Sequence, residues 1–176
     1  KELAPMGVNE PHMPVAFALD VSGSMCGKPV EMLNKSVNRF KEQVCEDPKA
    51  ARGVDISIIG FNDSPTVVQN WRSITEMEPV SLSAGGGTNI ATALDMAVNK
   101  LRERSHLYED VGIEVKMPYL ILITDGYGGD VTEVAEVIKQ RTAEHKMKLW
   151  VLAVKVYDEK TVAQLTDGKR VFELVN

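Results

Sequence analysis

Strands alternating with helices along 176 residues predict a three-layer α/β/α sandwich with a mostly parallel sheet and one antiparallel edge strand. Three observations carry this expectation. Runs such as Val15 to Leu19, Tyr119 to Thr124 and Leu149 to Val156 are almost wholly apolar, as strands covered on both faces must be. Segments between such runs place apolar residues three and four apart, the spacing of amphipathic helices. Two of the runs stop at an acid, Asp20 and Asp125, followed by small polar residues or glycine. That pattern puts polar clusters at strand C-terminal tips, where open α/β sheets bind ligands.

Taken in order, residues 1–13 read as an extended arm without periodicity, and residues 14–176 as one domain. After the first strand, Pro29 suits a first helical turn, and Val30, Leu33, Val37, Phe40 and Val44 form the buried stripe of a helix ending near Asp47-Pro48. Val54 to Phe61 and Thr66 to Trp71 flank the turn Asn62-Asp63-Ser64-Pro65, so they form a hairpin that supplies the antiparallel edge. Ser73 to Gly87 reads as a loop returning to the face that carries Asp20. Ile90, Ala91, Leu94, Ala97, Val98 and Leu101 mark a second helix capped by Thr88 or Asn89, and Ser105 to Met117 reads as irregular. Tyr119 to Thr124 is the next strand, followed by a helix from Val131 to His145 and the strand Leu149 to Val156. Asp158 caps a short helix ending near Asp167-Gly168, and Arg170 to Val175 closes the sheet.

Composition narrows the function classes. Hydrophobic residues make up 44% of the chain, enough for a core that needs no disulfide staples. Lys and Arg number 20 against 25 Asp and Glu, a net charge of -5 that lacks the basic footprint of a nucleic-acid binder. No apolar stretch reaches the ~18 residues a membrane span requires. Cys26 and Cys45 fall near opposite ends of one expected helix, roughly 25 to 30 Å apart and beyond disulfide reach. Two free thiols point to a reducing, cytoplasmic setting.

The chemistry concentrates in three places that this winding brings together. Asp20, Ser22 and Ser24 follow the first strand, Thr88 opens a helix, and Asp125 follows a later strand. All offer oxygen, the donor that hard cations such as Mg²⁺ prefer, whereas zinc or copper calls for Cys or His. His12, His106 and His145 stand apart from the constellation in sequence. Residues two apart in an extended segment point the same way, which would aim Asp20, Ser22 and Ser24 together, with Gly23 easing a tight turn. Alone, Asp-x-Ser-x-Ser reads most simply as a capped turn. Joined in this order to Gly-Gly-Thr and to a strand ending in Thr-Asp-Gly, it points to a metal site.

The combination resembles the von Willebrand factor type A family, whose metal-ion-dependent adhesion site uses Asp-x-Ser-x-Ser, a distant Thr and a distant Asp. Asp20, Ser22, Ser24, Thr88 and Asp125 match that motif without substitution. The resemblance implies a Rossmann-like fold and a bound Mg²⁺, with Mn²⁺ or Ca²⁺ as alternatives. It implies that the serines and threonine ligate the metal directly while the two acids act through water or hydroxyls. It further implies a non-enzymatic module that captures a Glu or Asp carboxylate of a protein partner on the open metal position. Gly85-Gly86-Gly87-Thr88-Asn89, the Gly112-Ile113 to Pro118 segment and Leu122-Ile123-Thr124-Asp125-Gly126 most resemble the bacterial tellurium-resistance-type members.

Two competing readings remain at this stage. A Mg²⁺-dependent phosphatase would use Asp20 as nucleophile, but the general acid expected two residues later is replaced by Ser22. A structural domain with a vestigial metal site predicts the same fold and no metal-dependent partner. Asn62, Asp63, Tyr127 and Asp130 are expected near the metal face, Cys26 as an exposed loop thiol, and Trp71 and Trp150 in the core or at strand edges.

Overall fold

The apolar run that opens the domain forms β1, Met13–Asp20, near the middle of a six-stranded sheet; every residue from Pro14 to Asp20 is buried. The computed structural model describes residues 10–154, 157–166 and 170–174. Two strands flank β1 in parallel: β2, Val54–Phe61, on one side and β4, Tyr119–Thr124, on the other. Beyond β2 lies the antiparallel edge strand β3, Pro65–Ser73, and beyond β4 come β5, Lys148–Val154, and β6, Val171–Leu174. The resulting order is β3-β2-β1-β4-β5-β6, with β3 alone reversed among the described strands.

Among the described residues, five α-helices join these strands: α1, Lys28–Cys45; α2, Pro48–Arg52; α3, Ile90–Asp110; α4, Thr132–Ala143; and α5, Glu159–Thr166. Side chains of β1 alternate between the two layers they hold together. Ala16 and Ala18 join Leu94, Ala97 and Leu101 of α3 and Ile138 of α4 in one core. Val15, Phe17 and Leu19 join Leu33 and Val37 of α1 in the other.

Several boundaries depart from expectation for identifiable reasons. The first helix does stop near Asp47-Pro48, but the chain restarts at once as α2, because the Asp47 carboxylate accepts from the backbone N–H groups of Lys49 and Ala50 and Pro48 suits the first turn. Residues 10–13, expected in the arm, belong to the packed domain: Met13 starts β1 and His12 bridges Val115. Helix α3 continues through Ser105 to Asp110, a stretch expected to be irregular. Its buried stripe runs on through Arg104 and Tyr108, and a charged residue in that position hides the helical period.

What makes Arg104 tolerable there is a buried polar cluster at the N-terminal end of the sheet. The Asp55 carboxylate lies 3.0 Å from His12 Nδ1 and 3.6 Å from Arg104 Nη2, and it accepts a hydrogen bond from the Tyr108 hydroxyl. Burial and the neighbouring Asp55 charge push the Tyr108 hydroxyl well above its ordinary pKa, so it remains a donor. A buried charge persists only when paired in this manner.

Further along, α4 stops at Ala143, two residues short of the expected His145. Residues 1–9, and the expected element ends at Val156, Asp167-Gly168 and Val175, lie outside the described residues.

Candidate metal-ion site and family

Parallel register brings the two acid-terminated strands side by side. Leu19 pairs with Ile123, so Asp20 emerges beside Thr124 and the Asp125 loop. Asp20 is fully buried and both its carboxylate oxygens are engaged. Oδ1 accepts from the Ser22 backbone N–H at 3.0 Å and from the Ser22 hydroxyl at 2.6 Å, while Oδ2 accepts from the Thr124 hydroxyl at 2.6 Å. Burial raises the Asp20 pKa above the ordinary carboxylate value; the bonds from Ser22 and Thr124 counteract this, and the nearby Asp125 charge adds to it.

These contacts decide what the hydroxyls can do. With its proton turned onto Asp20, the Ser22 hydroxyl has lone pairs free to face outwards. Its oxygen lies 3.2 Å from Ser24 Oγ, so two hydroxyl oxygens stand together at the strand tip. The expected extended alternation holds only from Asp20 to Ser22. Ser24 arrives by a 3₁₀ turn, Gly23–Met25, that folds it back beside Ser22. Gly23 serves close approach more than turning: its N–H donates to Gly86 O at 2.9 Å, and a Cβ there would stand 3.2 Å from the same oxygen.

Asp125 is fully buried too. Its Oδ1 accepts from the Tyr127 N–H at 3.1 Å, and its backbone carbonyl accepts from the Asp158 N–H at 2.8 Å. Oδ2 is buried with no hydrogen-bond partner among the described residues. Thr88, half-buried, precedes α3, whose cap is Asn89 accepting from the Thr92 N–H. The Gly85–Thr88 loop reaches this end of the sheet because Gly85 donates to Val21 O and Gly23 to Gly86 O. On its other side Gly128 packs so closely that an added Cβ would lie 2.5 Å from Thr88 Cγ2. All five expected site residues therefore gather at one end of the sheet.

Several supporting residues escape sequence reasoning. Thr124 anchors Asp20 and also accepts from the Gly126 N–H at 2.9 Å. Asn34 and Asn38, one turn apart on α1, each clamp a loop residue through both amide atoms. Asn34 bonds the N–H and C=O of Leu82 at 2.9 and 3.0 Å, and Asn38 those of Val80 at 2.7 and 2.9 Å. Gln69 does the same for Glu78. These three amides give an irregular loop the satisfied backbone that a strand pairing would otherwise supply. Asparagine polar to the eye and interior to a helix was the available signal. Of the expected neighbours, Asn62 bonds Gly85 O and Asp63 accepts from Gly87 N–H on this rim. Gly86, at φ 82, has Asp63 Oδ2 where a Cβ would come within 2.8 Å.

Cys26 is exposed and Cys45 half-buried, and both are free. Trp71 is in the core, whereas Trp150 is partly exposed on β5. Among the described residues no trio of His, Cys, Asp or Glu is placed to hold a metal, and no helix is long and apolar enough to cross a membrane. The donor set at the sheet tip is instead hydroxyl-rich with two acids, which fits a hard cation. Against the phosphatase alternative, the Asp20 carboxylate is buried and each of its oxygens already accepts a hydrogen bond.

The model of the von Willebrand factor type A domain matches residues 15–176. The chain belongs to this family. Von Willebrand A domains are typically metal-dependent protein-interaction modules and generally not enzymes. Among solved structures, the pilus adhesin SpaC from Lactobacillus rhamnosus GG superposes with a TM-score of 0.74 at 12% identity, over 99% of this chain and 29% of SpaC. The conserved hypothetical protein BatB from Bacteroides thetaiotaomicron gives 0.65 at 19% identity, over 93% of this chain and 91% of BatB. Manganese-loaded TRAP protein of Plasmodium vivax gives 0.62 at 18% identity, over 93% of this chain and 68% of TRAP. At such identities the likeness establishes a von Willebrand A fold and no more. No curated protein is significantly similar in sequence.

Proposed function

We propose that this von Willebrand A domain captures an acidic residue of a protein partner through a Mg²⁺ ion held at the Asp20 end of the sheet. The observation that carries the reading is electrostatic. Two fully buried carboxylates, Asp20 and Asp125, lie close enough to raise the Asp20 pKa, and Asp125 Oδ2 has no hydrogen-bond partner among the described residues. Buried anions of this kind call for a cation. In this reading Ser22, Ser24 and Thr88 supply the direct oxygens, while Asp20 orients the Ser22 hydroxyl and Asp125 acts through water. A bound divalent cation supplies Lewis acidity and an open coordination position for a partner carboxylate. With neutral hydroxyls as its main protein ligands, little protein charge competes with that carboxylate. Exposed residues of the rim, Asp63, Tyr127 and Asp130, would sort partners by charge and shape.

We further read the domain as cytoplasmic and as serving a bacterial stress system of the tellurium-resistance type, on the sequence resemblance and free thiols alone. The experiment is a Mn²⁺ titration followed by electron paramagnetic resonance, with Mg²⁺ competition. One saturable site displaced by Mg²⁺ and lost in Asp125→Ala is expected. Partner capture should then disappear with chelator. A folded chain that captures its partner equally well in chelator would instead favour the structural domain with a vestigial site.

A further inference from the structure

At the opposite end of the molecule from Asp20, a groove of about 630 Å³ opens between α3, α4 and the segment leading into β4. We propose that it is a binding site for a small multivalent phosphate compound, gripped between Arg102 and Arg141 with His145 and Lys146 at its mouth. The groove lies at the N-terminal end of β4, so it is separate from the proposed metal site. Its size falls within the range usual for small-molecule sites.

The charge distribution is the first argument. The chain carries a net charge of -5, yet Arg102, Lys116, Arg141 and Lys146 converge on this one groove from two helices and the loops that follow them. Glu109 lines it too, 3.8 Å from His106, and Glu144 at the rim pairs with Lys146 at 3.1 Å. Four fixed cations against two acids leave an excess that these internal pairs do not absorb.

The second argument is Arg141. Its Nε is buried with no hydrogen-bond partner among the described residues. Burial lowers the pKa of this guanidinium below its ordinary value, and the like charge of Arg102 adds to the effect, with Glu144 opposing it. Two guanidinium groups that line one groove and repel each other are relieved when an anion bridges them. Phosphate suits this fork because its oxygens accept bidentate bonds from arginine.

A structural explanation covers part of the cluster. Arg141, His145 and Lys146 lie at the C-terminal end of α4, where cations favour the helix dipole. That end is already closed by a Schellman arrangement: Lys146 N–H bonds Arg141 O at 2.9 Å and His145 N–H bonds Thr142 O at 3.1 Å. The dipole also leaves Arg102 on α3 and Lys116 in the loop unexplained. His145 itself occupies the left-handed position, φ 57, that glycine usually fills in this motif. The imidazole at this position lines the groove beside Arg141 and Lys146.

That feature provides a clean variant, because His145→Gly relaxes the backbone while deleting the side chain. Isothermal titration calorimetry of the whole chain with inorganic pyrophosphate, in the presence of EDTA, tests the proposal. One saturable site is expected, weakened about tenfold or more by Arg102→Ala and by Arg141→Gln. His145→Gly should weaken binding while leaving the thermal midpoint equal or higher, and Asp20→Asn should leave the affinity unchanged. No saturable heat up to about 10 mM pyrophosphate would overturn the proposal. So would binding that persists unchanged in folded His145→Gly and Arg102→Ala, or binding lost in Asp20→Asn.

Discussion

Asp20 is a residue whose local environment works against its charge. Burial raises its pKa despite three hydrogen bonds, with Asp125 adding to the rise. A carboxylate with a raised folded pKa contributes most stability below the ordinary carboxylate pKa and loses it as pH rises through the folded value. In the absence of metal, Asp20→Asn should therefore gain stability relative to the parent as pH climbs from acid to neutral. Urea denaturation of both chains in EDTA across that range checks the sign. At neutral pH the same variant should lose the stabilisation by Mg²⁺ expected of the parent, which separates a functional acid from a merely structural one. Asp20 and its partners Ser22 and Ser24 are legible in the sequence because they are contiguous. Thr124 is adjacent to Asp125 in sequence, but its bond to Asp20 spans two strands and follows only from their register.

Helices α1 and α3 show how an element can serve the site from a distance. Asn34 and Asn38 sit on the face of α1 that meets the loop before Gly85, and their amides fix Leu82 and Val80 within hydrogen-bond distance. Removing one amide takes away two such bonds, a loss of about 1–3 kcal/mol at a partly buried position. Asn34→Ala should accordingly speed amide hydrogen exchange at Leu82 and weaken Mn²⁺ binding several-fold while the sheet stays protected, measured by exchange and spin resonance on the same sample. A helical stripe read from apolar residues alone overlooks this face, since the asparagines satisfy backbone rather than bury hydrocarbon. In α3 the same blindness shortens the helix: Arg104 occupies a core position where Asp55, far away in sequence, and the Trp71 and Tyr108 rings meet it. A polar residue at a stripe position is ambiguous until its partner is known.

Taken as a whole, the molecule carries two charged regions at opposite ends of the sheet. One is acidic and oxygen-rich at the strand C-termini, the other basic and enclosed by α3 and α4. Cation binding to the first should stabilise the entire fold, because it relieves Asp20 and Asp125, which anchor β1 and β4 at the sheet centre. With Mg²⁺ at about 100 times its dissociation constant, mass action predicts ~2.7 kcal/mol of stabilisation. Thermal unfolding with Mg²⁺ and with EDTA should differ accordingly; identical midpoints at saturating metal would contradict metal binding by the native chain.

Layer architecture, strands and the reversed edge hairpin can be read along the chain, because buried strands and amphipathic helices write their periods into neighbouring residues. Asp20 and Asp125 are visible locally as acids that end apolar runs, and the motif resemblance ties Ser22, Ser24 and Thr88 to them as an expected set. How Ser24 folds back, why Asp20 is fully bonded, which amides hold the Thr88 loop, and that Arg102 and Arg141 share one groove emerge from the folded arrangement. Each of those depends on partners distant in the chain, and hydrogen bonds and charges are specified pair by pair rather than by periodicity.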